Sequence, residues 1–172
     1  MSISGNPRRI VTGQRPDGTS IVTRVEEAER LEVPGDVGRE IWRVWGSDSL
    51  PVRLPTDGQW PQGCEPSAEG MSDFLSRISP PAGVRCTLVR YQPGWVDPLY
   101  AIDTADIVVV LDGELVYSLD GGEEVVVRHG DVVVQNGVNK SWQNRSDRPA
   151  MIAAVVMGAV RVSGAPAEST PQ

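Results

Sequence analysis

With 172 residues and 40% hydrophobic side chains, the chain can bury one substantial core and is short for two. Its formal charge of −7 repels phosphate backbones and argues against a nucleic-acid partner. No apolar run follows Arg8 and Arg9 as it would in a secretion signal. The longest apolar stretch, from Ala150 to Val160, falls well short of a membrane span. A cytoplasmic protein without a membrane partner is therefore expected.

Residues 1–8 should be a flexible N-terminus and residues 9–162 a single domain. The small, polar, proline-containing segment 163–172 should be a disordered tail. Inside the domain, β-branched runs alternate with Gly, Asp and Pro. They are SIVTRV from Ser20, EIWRVW from Glu40, VRCTLVRY from Val84, DIVVVL from Asp106, ELVYSL from Glu114, EEVVVR from Glu123, DVVVQ from Asp131, KSWQN from Lys140 and MIAAVVM from Met151. Gly-containing turns at Gly113, Gly121 and Gly130 separate the later runs. Many short strands at this spacing predict an all-β sandwich or barrel.

Two stretches depart from that pattern. Thr23–Gly35 carries acidic residues and predicts either one helical turn before Pro34 or a polar strand connection. Segment 46–83 is long and rich in Pro and Gly, with a possible short helix near MSDFLSRI that Ser72 and Asp73 would start. A loop of that length is usually functional or covers something. A lid over the barrel mouth and an ordinary surface excursion both fit it.

Cys64 and Cys86 match neither a metal spacing nor a disulfide framework and read as buried or loop thiols. His129, the only histidine, precedes a Gly-Asp turn and reads as a solvated turn residue. One histidine leaves no room for a histidine-rich metal site and nearly excludes a Ser-His-Asp triad.

The turns and strands of residues 85–157 resemble the cupin superfamily of small double-stranded β-helix, or jelly-roll, barrels. The first cupin motif spaces Gly, His-x-His, Glu and Gly. Here Gly94, Tyr100, Ile102, Asp106 and Gly113 hold that spacing with different side chains at the ligand positions. The second motif reads Gly130, Asp131, Gln135, Gly137, Lys140 and Asn144, one residue shorter than usual. Within the superfamily the chain is most similar to small single-domain cupins of bacterial secondary metabolism, several of them described as dehydratases, decarboxylases or cyclases. The resemblance implies a homodimer through an N-terminal strand.

Strand alternation then puts Tyr100 and Ile102 on one face, and Lys140, Trp142 and Asn144 on one face of another strand. In the cupin register these faces point inward, giving a cavity lined by Tyr100, Ile102, Asp106, Val108, Lys140 and Trp142. Zinc and iron want imidazole, thiolate or carboxylate. An ammonium repels them, so no metal and no cofactor are expected. A buried Lys and Asp cost several kcal/mol per ion unless well paired. Their presence reads either as a relic ion pair or as an acid–base set. Lys140 is the first catalytic candidate, Tyr100 the acid or oxyanion partner, and Asp106 the group that sets the lysine charge.

Trp142 reads as a substrate contact or as core, and Trp95 as a substrate contact or as rim packing. Trp42 and Trp45, three apart, should face opposite sides of their strand. Arg90 could bind a substrate carboxylate, although an outward arginine fits a half-exposed strand better. The function expected is metal-independent cyclisation, dehydration or isomerisation of a small polyketide-like compound. A non-catalytic binding cupin and a metal-dependent decarboxylase or dioxygenase are the alternatives.

Overall fold

A computed structural model describes residues 5–31, 33, 35, 37–47, 50–51, 54 and 83–162. The expected lid, the helix near residue 72, Cys64 and the tail 163–172 lie outside those residues. The described ones form eleven strands and no helix. In chain order these are β1 (Arg8–Gln14), β2 (Ser20–Glu27), β3 (Glu29–Leu31), β4 (Arg39–Ser47), β5 (Val84–Tyr91), β6 (Thr104–Asp112), β7 (Glu114–Leu119), β8 (Glu124–Arg128), β9 (Val132–Asn136), β10 (Lys140–Gln143) and β11 (Ala150–Gly158). Nine fall on the β-branched runs read from the sequence. The stretch around Glu27 resolves as the strand connection, with β3 continuing after β2 and no helical turn. The first strand is absent from the β-branched runs and was expected only through the resemblance. Asn6 and Pro7 just before it are already tied down, to Trp42 and Ala28.

A six-stranded sheet in the order β3-β4-β5-β11-β6-β9 faces a three-stranded sheet in the order β10-β7-β8. This is an all-β jelly-roll barrel, the architecture that the resemblance implied. Gly113 turns the chain from β6 into β7 with φ 74°, and a Cβ there would lie 2.8 Å from the Ala150 Cα. Only glycine is comfortable with both that dihedral and that approach. Ile41, Val89, Val108, Val110 and Ile152 of the large sheet meet Leu115, Tyr117, Val127 and Trp142 of the small one in a single apolar core.

Register sorts the inner face of the large sheet into rows, because directly opposed residues share a face. One row runs Arg85, Val156, Asp106, Gln135. The next runs Arg43, Thr87, Ala154, Val108, Val133. A third is wholly apolar: Ile41, Val89, Ile152, Val110. The barrel is thus polar towards one end and oily at its middle.

On the outer face, Ala28, Trp42 and Met151 form a second small cluster with Leu88 and Leu111. A bulge between Arg43 and Trp45 sets Trp42 opposite Leu88 and Trp45 opposite Cys86. Both tryptophans therefore share the outer face, contrary to the opposed arrangement expected from their spacing. The inserted residue absorbs the alternation. Strands β1 and β2 form a separate two-stranded sheet.

Candidate active site

Lys140 opens β10 and points between the sheets with 2% of its surface exposed. Backbone hydrogen bonds of 3.0 Å in both directions join it to Tyr100. Its Nζ sits 4.2 Å from the centre of the Tyr100 ring, a cation–π contact. Tyr100 is half-buried at the cavity edge. Below Lys140, Trp142 packs on Tyr117 with ring centres 4.8 Å apart.

On β6 and β9 of the large sheet, Thr104, Asp106 and Gln135 are exposed by only 2%, 4% and 3%. Thr104 Oγ1, Asp106 Oδ1 and Gln135 Oε1 have no hydrogen-bond partner. Buried polar groups are nearly always satisfied; the Thr104 hydroxyl lies close enough to Asp106 to lower its carboxyl, which leaves Gln135 Oε1 as the clearest unmet acceptor. The expected relic ion pair does not form: among the described residues no ion pair or hydrogen bond joins Lys140 to Asp106.

Electrostatics follow the burial. Desolvation lowers the Lys140 ammonium from its ordinary value, with the Asp106 and Asp97 charges opposing it. Desolvation likewise raises the Asp106 carboxyl, opposed first by the Thr104 hydroxyl beside it and then by the Lys140 charge. The Tyr100 phenol is raised by burial and by Asp97, and that of Tyr117 is pushed up to about 12 by burial and by Asp106. Both phenols stay protonated at neutral pH.

Asp97, missed in the sequence, anchors the other side of the opening. It accepts from Arg39 at 2.8 Å, from the Trp95 indole at 2.9 Å and from the Tyr91 hydroxyl at 3.4 Å. Trp95 is therefore committed to a structural pin, its ring lying 5.1 Å beneath the Arg39 guanidinium. Ile102 packs half-buried against the core, and Val108 is fully enclosed in it. Arg90 is not in the cavity. It lies on the outer face, 2.9 Å from Glu40 and over the Trp42 ring at 4.7 Å, because β5 turns Val89 and Tyr91 inward. Arg161, beyond both motifs, donates to the Gly137 carbonyl at 2.8 Å and pairs with Asp103.

Gln135, Tyr117, Arg43 and Arg85 also escaped the sequence reading as interior groups. Alternation with Val133, Leu115 and Val89 could have flagged the first, second and last; a polar residue on an inward face is visible only once the pairing is known. Among the described residues no three His, Cys, Asp or Glu side chains converge. A raised phenol, a hydrocarbon, one carboxylate and an ammonium at the motif positions do not suit zinc or iron.

A jelly roll with its polar groups on these two motifs defines a cupin. The sequence pattern of the Cupin domain matches residues 87–156. Phomopsin biosynthesis cluster protein C' of Diaporthe leptostromiformis is 32% identical over 81% of this chain and 71% of its own length. Oryzines biosynthesis cluster protein J of Aspergillus oryzae is 30% identical over 80% and 74%. The cupin-domain-containing oxidoreductase virC of Hypocrea virens is 32% identical over 79% and 66%. The chain belongs to the cupin-domain family. These relatives are fungal, and they lend no support to the bacterial setting that the resemblance implied.

Proposed function

We propose that this chain is a metal-independent enzyme of secondary metabolism that holds a small, mostly apolar carbonyl compound in its barrel and moves a proton on it, in cyclisation, dehydration or isomerisation. The observation that carries this reading is the burial, inside one barrel, of a lysine and a carboxyl that no direct ion pair neutralises. Burial moves each towards its uncharged form, where proton exchange with a substrate is easiest. Lys140 exchanges the proton, the Tyr100 phenol donates to the carbonyl oxygen, and Asp106 sets the lysine charge while accepting from a substrate hydroxyl. Trp142 and Tyr117 supply the apolar floor. The cluster proteins named above support the pathway setting.

The test is turnover of candidate intermediates supplied by the neighbouring genes. Lys140→Ala should lose about 100-fold or more in rate, the usual scale of one acid–base group, and Tyr100→Phe a smaller factor. Wild-type rates in both variants would dismiss the assignment. The name of the Hypocrea virens relative favours a second reading, redox chemistry. Turnover that disappears on chelation and returns with stoichiometric iron, nickel or zinc would establish it.

A further inference from the structure

Of the sixteen lysines and arginines in the chain, Lys140 is the only lysine. Every other basic position carries arginine, which keeps its proton under all ordinary conditions. The one side-chain amine that can become a neutral nucleophile is thus buried between the sheets, at 2% exposure, and lacks a hydrogen-bond acceptor among the described residues. Arginine would supply a permanent charge at that position, and methionine would fill it at less cost. What lysine adds over both is a lone pair on demand.

We propose that Lys140 captures the carbonyl carbon of an aldehyde or ketone as a covalent imine. This deepens the reading above and rests on its placing of a carbonyl compound in the cavity.

In the first step the neutral Nζ attacks the carbonyl carbon. A C–N bond forms, the C=O π pair moves to oxygen, and a proton passes from the now cationic nitrogen to that oxygen, giving a neutral carbinolamine. The carbinolamine then loses water as its nitrogen lone pair forms C=N, with the hydroxyl leaving on a proton from the Asp106 carboxyl. The protonated imine keeps the positive charge over the Tyr100 ring, where the ammonium had been. An α-proton can next pass to the Asp106 carboxylate, leaving an enamine, so that isomerisation, dehydration or ring closure proceeds without any oxidant or reductant. A lysine desolvated in an apolar pocket is an established form of activated nucleophile. Gln135, opposite Asp106 and with an unmet side-chain oxygen, can hold the departing water or a substrate hydroxyl.

Having a single lysine makes the test clean, since the full chain carries two primary amines: Lys140 and the α-amino group. The folded protein is incubated with cinnamaldehyde and sodium cyanoborohydride near neutral pH, and then cleaved and mapped by mass. The peptide containing Lys140 should gain the reduced adduct, saturably with aldehyde, and the gain should slow in the presence of cinnamyl alcohol. Lys140→Arg should lose that label completely while keeping the label on the α-amino group. Acetaldehyde serves as a second probe small enough to enter a narrow opening. Labelling confined to the α-amino group with both aldehydes overturns the imine. If Lys140→Ala still loses turnover in that case, proton transfer stands and only the covalent step fails. If turnover also persists, both readings fall.

Discussion

Lys140 is costly to the fold. Removing an ammonium and a carboxylate from water costs several kcal/mol per ion, and good pairing recovers that only in part. Here the two do not touch, so the double variant Lys140→Met/Asp106→Asn should be more stable than wild type by about 1–4 kcal/mol in chemical denaturation, with loss of turnover. The effect of pH has a definite sign. The folded lysine releases its proton more readily than the unfolded one. Its burial cost is therefore complete below the lowered folded value and fades as pH rises towards the unfolded value. The stability advantage of Lys140→Met over wild type should shrink as pH rises from the lowered folded value towards the unfolded one. Motif spacing made the inward orientation of Lys140 and Asp106 legible from sequence alone. Their separation was not, because a spacing rule fixes which face a side chain occupies and leaves open what its tip reaches. Arg90 shows the converse, with Glu40 and Trp42 claiming it on the outer face.

Strands and turns were largely readable, since β-branched runs punctuated by glycine leave few other options. DIVVVL and ELVYSL became β6 and β7 around Gly113 as the Asp-Gly step suggests. Gly113→Ala should destabilise by about 2 kcal/mol or more, combining a left-handed alanine with a clash against Ala150; a drop in melting temperature with unchanged secondary structure would show it. Two features were hidden. The bulge at Val44 has no compositional mark, and it alone carries Trp45 to the outer face. β1 reads as a basic, glycine-bearing segment, and only its pairing with β2 makes it a strand. Asp97→Ala should cost about 1–3 kcal/mol by removing the buried carboxylate that Arg39, Trp95 and Tyr91 share, measured by denaturation. It should also loosen Trp95, which a shift in its fluorescence would report.

At the scale of the molecule, the β1–β2 hairpin packs chiefly on itself and presents Ile10, Val22 and Val25 at 60%, 58% and 56% exposure. Two strands alone are marginal in water, which fits the homodimer expected through the N-terminal region. Val22→Glu combined with Val25→Glu should shift light-scattering mass from dimer to monomer; an unchanged mass would remove the hairpin from the interface. Such surface assignments were least legible in the sequence, because exposed valines look the same whether solvent or a partner meets them. Arg161 has a different reach. Its guanidinium is a buckle across Asp103 and Gly137, and so across the two loops that deliver Thr104 and Lys140 to opposite walls. A chain trimmed just before it would keep Lys140, Tyr100, Asp106 and Gln135, yet lose the side-chain tie between those two loops. Aldehyde labelling of Lys140 should then slow while the strands stay intact, a loss of catalytic geometry dictated from outside the cavity.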